Sequence, residues 1–216
     1  MTLDELHCAR NLVPKYVEHV REKTLIAKIY GLFTIKVQHY NAVHVMVMEN
    51  TLQLRNEANL ERIFDLKGSM VNRYVEIPDL VTPTGSKPLK DKNWLELKFQ
   101  VPYKGKRRKK LLATMKRDVD FFKELGLLDY SLLLGIETLT EADPHMKNTD
   151  HQQRIGNKLY HIAMIDFMQV WNFSKKIENA LKTKIMRQSK TGISAIEPQA
   201  YADRFYKFMS REVFIR

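Results

Sequence analysis

Apolar residues along the chain follow two different periods. Over residues 111–125, Leu111, Met115, Val119, Phe122 and Leu125 step by four, four, three and three. That spacing lines one face of an α-helix, and Gly126 stands where such a helix ends. A second helix is predicted over 9–22, with Leu12, Tyr16, Val17 and Val20 on one face. A third starts at Pro198 and carries Tyr201, Phe205, Phe208 and Met209 on one side. Ser174 is placed to cap a fourth, containing Ile177, Ala180, Leu181 and Ile185.

Between the helices the pattern turns strand-like. Residues 30–37 and 42–48 are rich in β-formers, and Gln38-His39-Tyr40-Asn41 joins them as a hairpin. Residues 50–62 are polar with a short helical character. Tyr74 to Ile77 reads as a strand, and Pro78, Pro83, Gly85 and Pro88 mark a loop. Leu127 to Ile136 is nearly all apolar except for Asp129, Tyr130 and Ser131, and Leu159 to Phe167 is a buried strand with one charge, Asp166. Residues 141–157 read as a polar loop or insertion, and 186–197 as a mobile connection without apolar periodicity. The fold class expected is α+β: an antiparallel sheet with packed helices.

Composition sharpens this only in part. With 216 residues, 44% hydrophobic and 28% charged, the chain has an ordinary globular balance. No apolar run approaches the ~20 residues of a membrane-spanning helix, and residues 1–10 hold no apolar leader segment. The single cysteine, Cys8, excludes an internal disulfide and a cysteine-clustered zinc site. The charge says more: 36 Lys and Arg against 25 Asp and Glu leave +11. A chain this basic suits a polyanion, whether nucleic acid, an anionic membrane face or a phosphorylated substrate. Lys104 to Lys110 is a basic run that reads either as a polyanion contact or as a solvated loop. Lys175, Lys176, Lys182, Lys184, Arg187 and Lys190 form a second basic set.

Two aspartates sit in unusual company. Asp129 lies in Leu127-Leu128-Asp129-Tyr130-Ser131-Leu132, and Asp166 in Met164-Ile165-Asp166-Phe167-Met168. An unpaired carboxylate in an apolar interior is costly, so each is expected at a strand end facing a polar cleft. A plain turn-capping role is the alternative for either one alone. Two carboxylates are what phosphoryl transfer requires: one to orient or deprotonate the attacking hydroxyl, one to hold magnesium. Asp65-Leu66-Lys67-Gly68-Ser69 adds a point charge for phosphate and a glycine that lets backbone approach closely, although Lys-Gly-Ser is also common turn chemistry. Other templates fail. There is no G-x-x-x-x-G-K-[ST], no G-x-G-x-x-G, no H-E-x-x-H and no G-x-S-x-G. The protein-kinase catalytic loop needs Asn where Leu134 stands, and Asp166-Phe167 is followed by Met168 rather than Gly.

Taken together these segments resemble the phosphatidylinositol phosphate kinases. Asp65-Leu66-Lys67-Gly68-Ser69 is similar to that family's D-L-K-G-S. Leu128-Asp129-Tyr130-Ser131-Leu132-Leu133-Leu134-Gly135-Ile136 is similar to its M-D-Y-S-L-L-x-G-I. Ile165-Asp166 is similar to the end of its I-I-D, here with Met-Ile-Asp. Lys175-Lys176-Ile177-Glu178 resembles K-K-x-E, and Pro198 to Phe205 resembles P-x-x-Y-x-x-R-F. The resemblance runs in the family's order over nearly the whole chain.

The resemblance implies a two-lobed lipid kinase on the cytoplasmic face of membranes. It would move the γ-phosphoryl group of ATP to an inositol hydroxyl of a membrane phosphoinositide, with Mg2+. Asp129 would be catalytic, Lys67 would lie near the transferring phosphate, and Asp166 would bind magnesium. Met48, Glu49 and Asn50 fall where the family's hinge meets adenine. Lys175, Lys176, Arg187 and Lys190 fall in or beside the segment that meets lipid and membrane. Residues 9–52 would be what this chain holds of the N-terminal lobe and hinge, and 53–216 the C-terminal lobe. The family's Gly-rich loop and strand lysine cannot be placed in residues 1–10, so the N-terminal lobe is expected to be incomplete and the activity of this polypeptide weak or absent. A phosphoinositide-binding module without catalysis is the second reading. A nucleic-acid-binding protein is the third and lacks any supporting motif.

Overall fold

The computed structural model describes residues 1–76, 87–139, 149, 151–171 and 197–215. The expected fourth helix after Ser174 and the connection over 186–196 lie outside them. The described part is α+β, as its periodicity implies.

Helix α1 (Leu3–His19) starts six residues before the apolar face suggests. The reason is a capping box: Thr2 Oγ1 accepts from Glu5 N–H, and the Glu5 carboxylate accepts from Thr2 N–H. Leu12 and Tyr16 are buried as expected, whereas Val17 is exposed. The helix is tied down through Tyr16, whose hydroxyl donates to Ala27 O at 3.0 Å and accepts from Ile29 N–H at 2.8 Å. Asp118, fully buried, accepts from Thr24 Oγ1 and Leu25 N–H and bonds His19 Nε2 at 2.7 Å. One carboxylate therefore fastens the end of α1 to a helix a hundred residues away.

The hairpin forms as predicted, from β1 (Ile29–Ile35) and β2 (Val43–Met48). Residues 50–62 differ. A single 3-10 turn over Glu57–Asn59, capped by Asn56, leads into β3 (Leu60–Leu66). The apolar Leu60, Ile63, Phe64 and Leu66 are buried there, and that burial makes the segment a strand. Tyr74 to Glu76 is not a strand. The Val75 backbone is satisfied by the side chain of Asn93, which accepts from its N–H and donates to its C=O. Asn93 belongs to α2 (Asp91–Glu96), a short helix without a visible period in the sequence.

Helix α3 (Gly105–Glu124) begins inside the basic run. Arg108, in the middle of that run, donates to the carbonyls of Phe214 and Ser210, both at 2.7 Å. The run is thus helical rather than a loop, and one of its cations closes the C-terminal segment. After Gly126 come β4 (Leu127–Leu128), β5 (Ser131–Thr138), β6 (Gln152–Ile155), β7 (Lys158–Ile165) and β8 (Gln169–Val170). β6 lies within the polar stretch that reads as a loop. It is an edge strand with one neighbour, so it carries no buried run. Helix α4 (Pro198–Phe208) and a π-helical turn (Met209–Val213) follow.

The main sheet is antiparallel in the order β3-β5-β7-β6, with β1-β2 and β4-β8 as separate ladders. Helices α3 and α4 pack beside it around an aromatic column. Phe122 lies 5.2 Å from Phe167 and 4.8 Å from Tyr130, and Tyr130 lies 4.7 Å from Tyr201, ring centre to ring centre. Such contacts favour offset or edge-on rings and fix their backbones closely. Among the described residues no helix is long and apolar enough to cross a membrane.

Candidate active site

The sheet register assembles the site. Leu66, the last residue of β3, pairs with Leu132 near the start of β5. Ser131, the first residue of β5, pairs with Ile165, the last of β7. Because the three strands alternate in direction, Lys67, Asp129 and Asp166 all emerge at the same end of the sheet. Both aspartates adopt left-handed backbone, φ 63° for Asp129 and 61° for Asp166. That conformation is uncommon for residues other than glycine and turns each chain sharply out of the ladder. Residues that read as carboxylates at strand ends are in fact at strand ends.

They face one cavity of about 1150 Å³. Its wall includes Glu5, Cys8 and Leu12 of α1, Met46 and Met48 of β2, and Lys67, Asp129 and Asp166. Lys67 Nζ stands 3.5 Å from Asp129 Oδ1. Asp166 opens to solvent through the cavity, yet protein crowds its carboxyl. The resulting desolvation is the main reason its pKa is raised; Lys67 opposes the shift, while Asp65, Asp129 and Glu5 add to it. Cys8 is different. Burial, with help from Glu5, pushes its thiol up to about 11, so it is no nucleophile at neutral pH.

This donor set fits magnesium. Asp129 and Asp166 offer hard oxygen ligands to the same space, and the carboxylates around Asp166 leave negative charge that a divalent cation would offset. Among the described residues no cluster of three or more His, Cys, Asp or Glu forms a closed cage. Mg2+ ordinarily takes one or two carboxylates and completes its shell with water and phosphate oxygens.

The other expected residues separate. Met48 lies on the cavity wall. Asn50 follows it, exposed, and its side chain accepts from Leu52 N–H at 3.1 Å, which makes it a turn residue. Glu49 Oε1 bonds buried His151 at 3.1 Å. Lys175, Lys176, Arg187 and Lys190 lie outside the described residues.

Some site contacts escape the sequence. Asp91, fully buried at the start of α2, accepts from the backbone N–H groups of Lys67 and Gly68. Arg73 bridges Asp91 to Asp65. Tyr201 donates its hydroxyl to the Tyr130 carbonyl at 2.6 Å, one residue from Asp129. Arg204 lies over the Tyr201 ring, its guanidinium carbon 4.7 Å from the centroid. Asp91 meets Arg73, Gly68 and Lys67 from 18 to 24 positions away, and Tyr201 meets Tyr130 from 71, so these pairings have no short-range signature. Arg73 and Asp65 are 8 positions apart, and Tyr201 and Arg204 lie one helical turn from each other.

Comparison with known proteins finds relatives along nearly the whole chain. The model of the phosphatidylinositol-4-phosphate 5-kinase family matches residues 1–155 and 137–212. The chain is 30% identical to a phosphatidylinositol 4-phosphate 5-kinase of Plasmodium falciparum, over 95% of this chain and 14% of that protein. It is 25% identical to the phosphatidylinositol 4-phosphate 5-kinase its3 of Schizosaccharomyces pombe, over 94% of this chain and 37% of that one. It is 26% identical to a phosphatidylinositol 5-phosphate 4-kinase type-2 gamma of Xenopus tropicalis, over 93% of this chain and 59% of that one. The chain therefore spans less than two thirds of each of these relatives. With its family match running over nearly every residue and its sheet gathering Lys67, Asp129 and Asp166 at one end, the chain belongs to the phosphatidylinositol phosphate kinase family.

Proposed function

We propose that the cavity at the end of the β3-β5-β7 strands is the ATP and phosphoinositide site of a lipid kinase. The observation that carries this is the common position of Lys67, Asp129 and Asp166, with Lys67 Nζ 3.5 Å from Asp129 Oδ1. Asp129 orients an inositol hydroxyl and accepts its proton as the oxygen attacks the γ-phosphorus. Lys67 donates to the transferring phosphoryl oxygens, and the bond to the bridging oxygen of ADP breaks. Asp166 is the magnesium ligand, and the ion, when bound, neutralises charge on the nucleotide phosphates. Met48, with Asn50 shaping the turn behind it, borders the adenine. Lys175, Lys176, Arg187 and Lys190 meet the lipid head group and the anionic leaflet. There each nearby Lys or Arg contributes roughly 1 kcal/mol.

We infer further that the 216-residue polypeptide by itself turns over slowly. Lys67 is the one lysine or arginine among the described residues lining the cavity. A single preorganised donor is worth about 10²–10³ in rate in other enzymes, and the described lining offers the transferring phosphate one lysine and no arginine. The competing reading, a phosphoinositide-binding module without catalysis, draws on the same scarcity.

The test is transfer of radiolabelled phosphate from ATP to phosphoinositide vesicles, paired with vesicle flotation. Slow transfer that Asp129→Asn abolishes, with flotation intact, supports a kinase. Flotation without any Asp129-dependent transfer supports the binding module. Failure to float with anionic vesicles in competition with DNA removes both.

A further inference from the structure

We propose that Asp91 is a positioning residue for Lys67, acting through the backbone of the Lys67-Gly68 turn. This rests on the reading that Lys67 faces the nucleotide phosphates.

The need for such a residue comes from the sheet. The β3-β5 ladder ends at Leu66↔Leu132. Beyond it, the N–H groups of Lys67 and Gly68 have no strand to bond. A single carboxylate oxygen takes both: Asp91 Oδ1 accepts from Lys67 N–H at 3.0 Å and from Gly68 N–H at 2.6 Å. Hydrogen bonds to a charged acceptor are stronger than neutral ones, and two on one atom fix the peptide between them. The other oxygen, Asp91 Oδ2, accepts from Arg73 Nε at 2.7 Å. Arg73 Nη2 then reaches back to β3, donating to the Asp65 carbonyl and, at 3.2 Å, to Asp65 Oδ1.

The device is closed on all sides. Asp91 is fully buried and Arg73 nearly so. Burial works against the Arg73 charge, but Asp65 and Asp91 outweigh it and hold the guanidinium pKa above its ordinary value. From the opposite side α4 presses on the turn. A side chain at Gly68 would stand 3.0 Å from Phe208 Cβ and 3.1 Å from the Arg204 carbonyl. Arg204 Nη2 also donates to the Lys67 carbonyl at 3.5 Å. The turn is thus gripped between α2 and α4, and the grip by Asp91 is the polar one. It sets where the Lys67 side chain starts, and so whether Nζ faces Asp129.

A buried ion pair of this kind is a poor stabiliser compared with apolar packing, because both charges lose their hydration. Its value lies in direction: an apolar pair could fill the same volume but could not hold two N–H groups.

The test uses an acyl phosphate of ATP, whose acyl group passes to any lysine amine close to the phosphates. Labelling at Lys67 is read by peptide mass spectrometry, with excess ATP as competitor. Nucleotide Kd is measured separately on the same samples. Asp91→Asn keeps the shape but sets an amide N–H against Arg73. The paired variant, Asp91→Ala with Arg73→Met, removes both charges together and leaves neither buried alone. In each, Lys67 labelling is expected to fall about tenfold or more, the scale of a displacement near 1 Å, while Kd moves less than about threefold.

Native-like labelling in either folded variant overturns the proposal. So does a joint collapse of labelling and affinity, or loss of the folded circular dichroism signal in both variants, since either assigns Asp91 a purely structural role. If the unaltered chain shows no ATP-protected label at Lys67 and no nucleotide affinity, the nucleotide-site reading itself fails and takes this inference with it.

Discussion

Lys67 and Asp129 meet across the end of the sheet, Nζ to Oδ1 at 3.5 Å, although 62 positions separate them in the chain. If the two act on one transition state, their removal is not additive. Asp129→Asn is expected to lower lipid phosphorylation about 10²–10⁴-fold, the usual range for a positioned base. Lys67→Met is expected to lower it about 10²–10³-fold, and the double variant is expected to be little worse than Asp129→Asn. Turnover on phosphoinositide vesicles reads this. Additive losses would mean that the residues serve separate steps.

Gly68 carries a different prediction, about stability. Its φ is +66°, and a Cβ there would lie 3.0 Å from Phe208 Cβ and 3.3 Å from Phe205 Cα. Left-handed backbone costs a residue with a side chain about 1–2 kcal/mol, and crowding α4 adds about 1 kcal/mol or more. Gly68→Ala is expected to lower the melting temperature by roughly 4–12 °C. An unchanged melting temperature would show that α4 yields freely at this contact.

How much of this was legible beforehand depended on the range of the signal. The period of α3, the β-formers of β1 and β2, and the charges of Asp129 and Asp166 inside apolar runs are local. They predict helix, hairpin and strand-end carboxylates, all of which the structure contains. Thr2 and Glu5 were also local, and the capping box they form would have placed the start of α1. Other features were not local. β6 is polar because it is an edge, so it carries no burial pattern. The partners of Val75 and Asp91 are determined by chain reversals that no window of neighbouring residues contains. The Lys104–Lys110 run reads as a polyanion contact or a solvated loop because charge hides helix propensity, yet lysine and arginine are good helix formers.

His161 gives a pH prediction. It is nearly fully buried, with Nε2 3.2 Å from Glu137 Oε2. Burial lowers its pKa, and the Glu137 carboxylate only partly opposes that. In the unfolded chain the imidazole titrates near its ordinary value of about 6.5. Between that value and the lower folded one, the unfolded state holds more protons, so stability rises with pH. The chain is therefore expected to lose stability as pH falls below about 6.5, until the folded pKa is passed. His161→Gln is expected to flatten that slope. Melting temperature across the range from neutral to mildly acidic measures it, and an unchanged slope would assign the acid sensitivity elsewhere.

Tyr201 tests whether α4 governs Asp129 placement as well as packing. Its hydroxyl donates to the Tyr130 carbonyl at 2.6 Å in a fully buried setting, and its ring meets Tyr130 edge-on at 4.7 Å. Tyr201→Phe keeps the ring and removes only that hydrogen bond, leaving the Tyr130 carbonyl without its donor. The cost in stability is about 1–3 kcal/mol. The Asp129-Tyr130 peptide holds Asp129 in left-handed backbone, so loosening the next carbonyl lets the carboxylate drift from Lys67. Turnover is expected to fall about tenfold or more, with KM for nucleotide nearly unchanged, because the cavity wall around Met48 is untouched. A variant that melts lower but turns over normally would limit α4 to a scaffold role. A fall in turnover at assay temperatures well below the melting point would tie the C-terminal helix to the chemistry through one carbonyl.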